Sequence, residues 1–177
     1  IVYGLFTFFC VPAGYLAGLL VRRTFGDTYW CLTAVELVGF AGMMAGGVIM
    51  SIWGGYQRGE TTLVMGLLLF GFFAASMGFA KNFILYLCFM FFYGVALTIV
   101  QTAITTMLQE KAIPSMQGRV FGLFSTMYAG FLPVGMAIFG PLADMVPLQW
   151  IIIGTGIALI LLGGIVTQAR QLRTVQK

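Results

Sequence analysis

Charge is the scarcest thing in this chain. Asp, Glu, Lys and Arg make up 8% of the 177 residues, where an ordinary soluble protein carries about 25%. Histidine is absent altogether. That removes the commonest metal ligand and the commonest general base. The three cysteines, Cys10, Cys31 and Cys88, are far apart and form no CxxC pair. Small apolar packing is their default reading, ahead of a disulfide framework or a metal site. No HExxH, no GxSxG in a strand-turn-helix setting and no phosphate loop occurs, so the common hydrolase and nucleotide-binding classes lose their support. The five carboxylates are too scattered for a metal pair. The sequence predicts neither an enzyme nor a cofactor.

What fills the chain instead is six long apolar runs, and the mean hydropathy is +1.02. About 20 apolar residues let an α-helix cross a hydrocarbon core roughly 30 Å thick. A membrane β-barrel reads as short alternating segments, whereas these blocks are continuous. The expected fold is therefore all-α, a polytopic bundle of six transmembrane helices. The spans are expected at about 1–21, 29–53, 62–80, 83–108, 120–143 and 148–167. They leave no room for a soluble domain. The chain opens on Ile1 inside an apolar block too long for a cleavable signal peptide, and it reads as one half of a longer protein.

The formal charge of +4 comes from basic residues spread singly over the gaps. That distribution speaks for membrane topology and not for nucleic acid. Arg58, Lys111, Arg119, Arg170, Arg173 and Lys177 lie on one side, against Arg22, Arg23 and Lys81 on the other. The basic side is the cytoplasmic one, which places the C-terminus in the cytoplasm.

Glu36 is the sharpest feature. It lies about two turns inside the second run. A charge at membrane depth costs a few kcal/mol or more, so it tends to face a bundle interior or an aqueous cavity. A carboxylate there can exchange a proton or act as counter-charge to a cationic substrate. The bland alternative is a shallow, solvated or paired Glu36. In the fourth run, Gly94, Thr98, Gln101, Thr105 and Gln109 recur at three- and four-residue steps, with Thr102 and Thr106 beside them. They share a helix face. Thr98, Gln101, Thr102 and Thr105 can line a cavity or bond to a neighbouring helix. In the fifth run, Pro133, Gly135, Gly140 and Pro141 read as a hinge or a fixed bend. Arg58, Glu60, Glu110, Lys111 and Arg119 cluster at the cytoplasmic ends of the runs. They read as gating contacts or as anchors of the loops. Glycines four apart, Gly14 with Gly18, Gly42 with Gly46 and Gly118 with Gly122, predict close helix approach.

Several of these stretches carry a resemblance. They are Glu36 with the Gly39-to-Gly47 run, the Gly54-Gly55-Tyr56-Gln57-Arg58 turn and Val100-Gln101-Thr102. Leu108-Gln109-Glu110-Lys111, Gly118-Arg119-Val120-Phe121 and Pro133-Val134-Gly135 through Asp144 complete the set. Together they resemble the C-terminal half of a major facilitator superfamily transporter, and within it the bacterial macrolide- and drug-efflux branch. The resemblance implies a twelve-helix fold in which this chain supplies the last six spans and an N-terminal six-helix half the rest. It implies proton antiport, small-molecule export and a place in the cell membrane. The turn that corresponds to the superfamily's signature loop keeps Arg58 but lacks its acidic residue. From the residues alone a non-transporting membrane subunit also stands as an alternative, and composition does not exclude a channel.

Overall fold

A computed structural model of the chain describes residues 2–26, 29–55 and 59–175; the side chains of residues 2, 25, 114 and 169–175 lie outside the described set. Tyr56, Gln57 and Arg58, part of the expected gating set, fall outside it too. The fold is an all-α bundle of six long apolar helical spans, with no strand among the described residues. Its elements are α1 (Val2–Tyr15), α2 (Ala17–Phe25), α3 (Tyr29–Trp53), α4 (Gly59–Phe79), α5 (Phe83–Lys111), α6 (Gln117–Met145) and α7 (Leu148–Val175). A 3-10 turn at Pro114–Met116 precedes α6. The helices follow from the solvent. In hydrocarbon each backbone N–H and C=O must find its partner within the segment, which a helix accomplishes.

The connections are short and built by local chemistry. The Asn82 side chain accepts from the Ile84 N–H and caps α5. Gly54 and Gly55 take φ of +69° and +78° just after α3, a left-handed backbone that side chains with a Cβ resist. The first span, expected as one rod, is interrupted. Pro12 lacks the N–H that would bond one turn back and its ring crowds that turn. One turn later α1 ends at Tyr15, Leu16 sits at φ −92°, ψ 0°, and α2 begins at Ala17. By contrast α6 runs unbroken through Pro133 and Pro141.

α4 packs along α7 and α5, α3 along α5, and α1 along α6 and α7. Glycine makes two of these crossings possible. A Cβ on Gly94 would lie 2.5 Å from the Gly39 carbonyl of α3, and one on Gly156 would lie 2.7 Å from the Gly71 carbonyl of α4. Gly42 and Gly46 likewise press on α5, as the four-residue spacing predicts; Gly118 and Gly122 meet nothing within 4 Å, so the close packing expected of that pair does not occur within this chain. At the centre Phe6 of α1, Phe70 of α4 and Tyr93 of α5 form a ring stack, with centroids 5.2 Å and 4.5 Å apart. Phe6 and Phe70 are fully buried. α6 stands apart, with only Gly135, Phe139 and Ala143 buried.

Candidate functional site: a cleft between four helices

A cleft of about 380 Å³ opens between α1, α3, α5 and α6. This is the size class of pockets that take drug-sized ligands. Along α5 its wall runs from Met90 to Gln101, about 16 Å at 1.5 Å per residue. α3 contributes Glu36, Gly39, Phe40 and Met43, which three- and four-residue steps bring to one face. α1 contributes Phe6, Thr7, Cys10, Gly14 and Tyr15, and α6 adds Tyr128 and Leu132. The cleft therefore lies beside the interruption at Leu16.

Its chemistry is lopsided. Among the residues lining it, Glu36 is the one charged side chain. Glu36 makes no ion pair or hydrogen bond with another described residue, and the buried Tyr86 ring stands within electrostatic reach of its carboxylate. Five aromatic rings and two thioethers stand in the remaining wall. The polar groups are few and placed. The Cys10 Sγ lies 3.4 Å from the Tyr93 hydroxyl. The Tyr15 and Tyr128 hydroxyls are 2.9 Å apart and join α1 to α6. The Thr7 hydroxyl donates to the Tyr3 carbonyl. The Gln101 amide is half-buried in the wall.

The residues singled out in the sequence are divided by this geometry. Glu36 and Gln101, from different helices, both line the cleft, but at different levels: exposed Glu36 stands near Tyr86, and Gln101 lies about four turns further along α5. Thr98, Thr102 and Thr105 are half-buried but are not part of its lining. The Thr98 hydroxyl is shared between the Met43 carbonyl of α3 and the Gly94 carbonyl, at 3.2 Å each. It ties α5 to α3, the gluing role that was the alternative for this stripe. Thr105 donates back to the Gln101 carbonyl. In α6, Gly135 packs against Val11 of α1, Gly140 meets nothing within 4 Å, and Pro133 and Pro141 are exposed.

Two ion pairs mark opposite ends of the bundle. Lys111 Nζ lies 3.2 Å from Glu60 Oε1 and joins α5 to α4. Glu110 and Arg119 are exposed and take part in no ion pair among the described residues. At the other end Arg23 Nη2 donates to Asp144 Oδ1 at 2.7 Å while Nη1 donates to the Ala143 carbonyl at 2.6 Å. This fastens α2 to the end of α6. The sequence reading treated Arg23 and Asp144 only as span ends and missed the pair. It also missed Cys10, Tyr15, Tyr93 and Tyr128. A signal for the last three exists: each is a tyrosine within a span, and a hydroxyl there needs a polar partner that phenylalanine would not.

The comparisons bear on a cleft of this kind. Macrolide efflux protein A of Streptococcus pyogenes is 23% identical to this chain over 144 residues, 80% of the chain and 36% of that protein. Macrolide efflux protein A of Enterococcus faecalis is 23% identical over 134 residues, 75% of the chain and 42% of that protein. This chain is similar to bacterial macrolide efflux proteins. No family model matches it. The chain thus spans about two fifths of the length of the curated relatives it matches. The resemblance read from the Glu36, Gln101 and Gly118-Arg119 stretches and these relatives agree. All of them are named for efflux and none for an enzyme.

Proposed function

We propose that this chain is the C-terminal six-helix half of a major facilitator superfamily exporter that moves macrolides or other amphipathic small molecules out of the cell in exchange for protons. The observation that carries the reading is the cleft: an exposed carboxylate within a membrane span, facing open space on a wall rich in aromatic rings, with a half-buried glutamine further along the same wall. Acids placed within spans are expensive and mark ion or substrate paths. The relatives' names support export, and their greater length leaves room for an N-terminal half that closes the cleft from the other side. The lipid bilayer surrounds the remaining apolar faces. The excess of basic residues in the gaps after spans two and four and in the tail supports a cytoplasmic C-terminus in a cell-membrane protein.

In this scheme Glu36 carries the proton and Gln101 bonds to the substrate. Thr98 holds α5 in register with α3, Thr105 bonds back within α5, and Thr102 lies on the same helix beside them. Alternating access needs contacts made in one state and broken in the other. The Glu60–Lys111 pair, with Arg58, Glu110 and Arg119 nearby in sequence, serves on the cytoplasmic side. Pro133, Gly135, Gly140 and Pro141 let α6 bend as the halves rock. The test is drug accumulation in cells that carry the complete transporter. Wild type lowers macrolide accumulation; Glu36→Gln, inserted at the same level, leaves it as high as in cells without the protein. Equal export by the two would remove Glu36 from the mechanism.

A further inference from the structure

A second cavity, of about 320 Å³, lies away from the cleft, at the end of the bundle where α2 and α4 stop and α7 begins. Its floor is buried and firm. A Cβ on Gly78 of α4 would lie 2.5 Å from the Ile153 side chain and 2.9 Å from the Gln149 carbonyl, both of α7. Its rim is exposed and polar. Thr24 brings a hydroxyl, Gln149 an amide, Trp150 an indole N–H and Lys81 an ammonium group. Each of these four groups can donate a hydrogen bond. Lys81 is the one charged side chain among the described residues lining this cavity, and it takes part in no ion pair among the described residues. Such a rim suits an anionic oxygen group, a phosphate above all.

The surface below the rim is of the opposite kind. Phe79 and Trp150 both line the cavity, and each heads an apolar line that runs away from it. On α4 the line continues through Phe72 and Leu68, on α7 through Ile157 and Leu161; all are exposed. Steps of seven and four residues keep each line on one helix face. From Trp150 to Leu161 the rise is about 16 Å, about the hydrocarbon depth of one leaflet. One anionic head over two apolar tracks of leaflet depth is the outline of a phospholipid, and the bilayer around the spans supplies it.

We propose that this cavity is a binding site for an acidic phospholipid of the surrounding bilayer, its phosphate held by Lys81 and its acyl chains laid along the exposed faces of α4 and α7. Basic pockets between membrane helices take acidic headgroups in this way. A lipid seated there clasps the ends of α2, α4 and α7 together. The inference needs only that the spans sit in a bilayer, and it stands apart from the transport reading.

The test places the full-length protein in phosphatidylcholine vesicles doped with phosphatidylglycerol that carries a photoreactive diazirine in its headgroup. After irradiation and chymotryptic digestion, the labelled peptides are mapped by mass spectrometry. The expected result is labelling concentrated on the peptides that contain Lys81 and Trp150. Unlabelled phosphatidylglycerol suppresses it, and added inorganic phosphate does not. Lys81→Gln lowers it at least about fivefold, the equivalent of about 1 kcal/mol, while Lys81→Arg keeps it. Gln149→Glu sets a carboxylate in the cavity and lowers it as well. Both positions are exposed, so neither variant disturbs the core. Labelling spread evenly around the spans overturns the proposal, as does undiminished labelling of the cavity in Lys81→Gln or Gln149→Glu. Displacement by inorganic phosphate as complete as by the lipid makes this a free-anion site and overturns the lipid assignment.

Discussion

Replacing Gly94 by alanine tests the packing that creates the cleft. The added methyl would sit 2.5 Å from the Gly39 carbonyl and 3.0 Å from the Met43 nitrogen. Both are backbone atoms of α3, so no side chain can swing aside. To restore an ordinary contact of about 3.4 Å, α3 and α5 must part by about 1 Å. That lengthens the Thr98 bond to Met43, now 3.2 Å, beyond useful range. Overpacking of this kind costs about 1–3 kcal/mol. The loss outweighs the gain in helix propensity from Gly to Ala, about 1 kcal/mol at most. Gly122→Ala is the internal control, because its methyl meets nothing within 4 Å in this chain. Thermal unfolding of the purified full-length protein, followed by dye labelling of newly exposed thiols, should show a lower midpoint for Gly94→Ala. Ligand binding in the cleft should fall with it, since Gly39 and Gly94 both line the wall. The reasoning is refuted if Gly94→Ala melts at or above the wild-type temperature.

Two further outcomes follow from the same structure. Phe70→Ala removes a fully buried ring that bridges Phe6 and Tyr93; a loss of about 3–5 kcal/mol is expected, read as a fall in the unfolding midpoint, and a shift of less than a degree would contradict the central ring stack. Single cysteines at Lys81 and Lys111, in a background without other reactive thiols, should label from opposite sides of the membrane in intact cells. An impermeant maleimide should reach position 81 and not 111, and the reverse pattern would invert the topology.

The fold was legible because the solvent dictates it. Runs such as Thr62–Ala80 have one low-cost conformation in hydrocarbon, and α4 at Gly59–Phe79 lies within three residues of that expectation. The interruption of the first span was not read, although Pro12 and Gly14 were visible. A proline in a membrane helix permits a break without fixing where it falls, and Pro133 and Pro141 leave α6 unbroken. The polar stripe on α5 shows the same limit. Helical spacing puts Thr98 and Gln101 on one side of the helix. It does not say that α3 crosses there closely enough for the Met43 carbonyl to take the Thr98 hydroxyl while Gln101 is left at the cleft. Glu36 was conspicuous by cost alone. The Tyr15–Tyr128 and Arg23–Asp144 contacts join residues more than 110 positions apart, and no local pattern encodes such pairings.

The most direct test of the account is macrolide uptake into inverted membrane vesicles that contain the full-length transporter, with and without an imposed proton gradient. The account predicts gradient-driven uptake by wild type, collapse when the gradient is discharged, and none above background with Glu36→Gln. Gradient-driven uptake that persists undiminished in Glu36→Gln would contradict it.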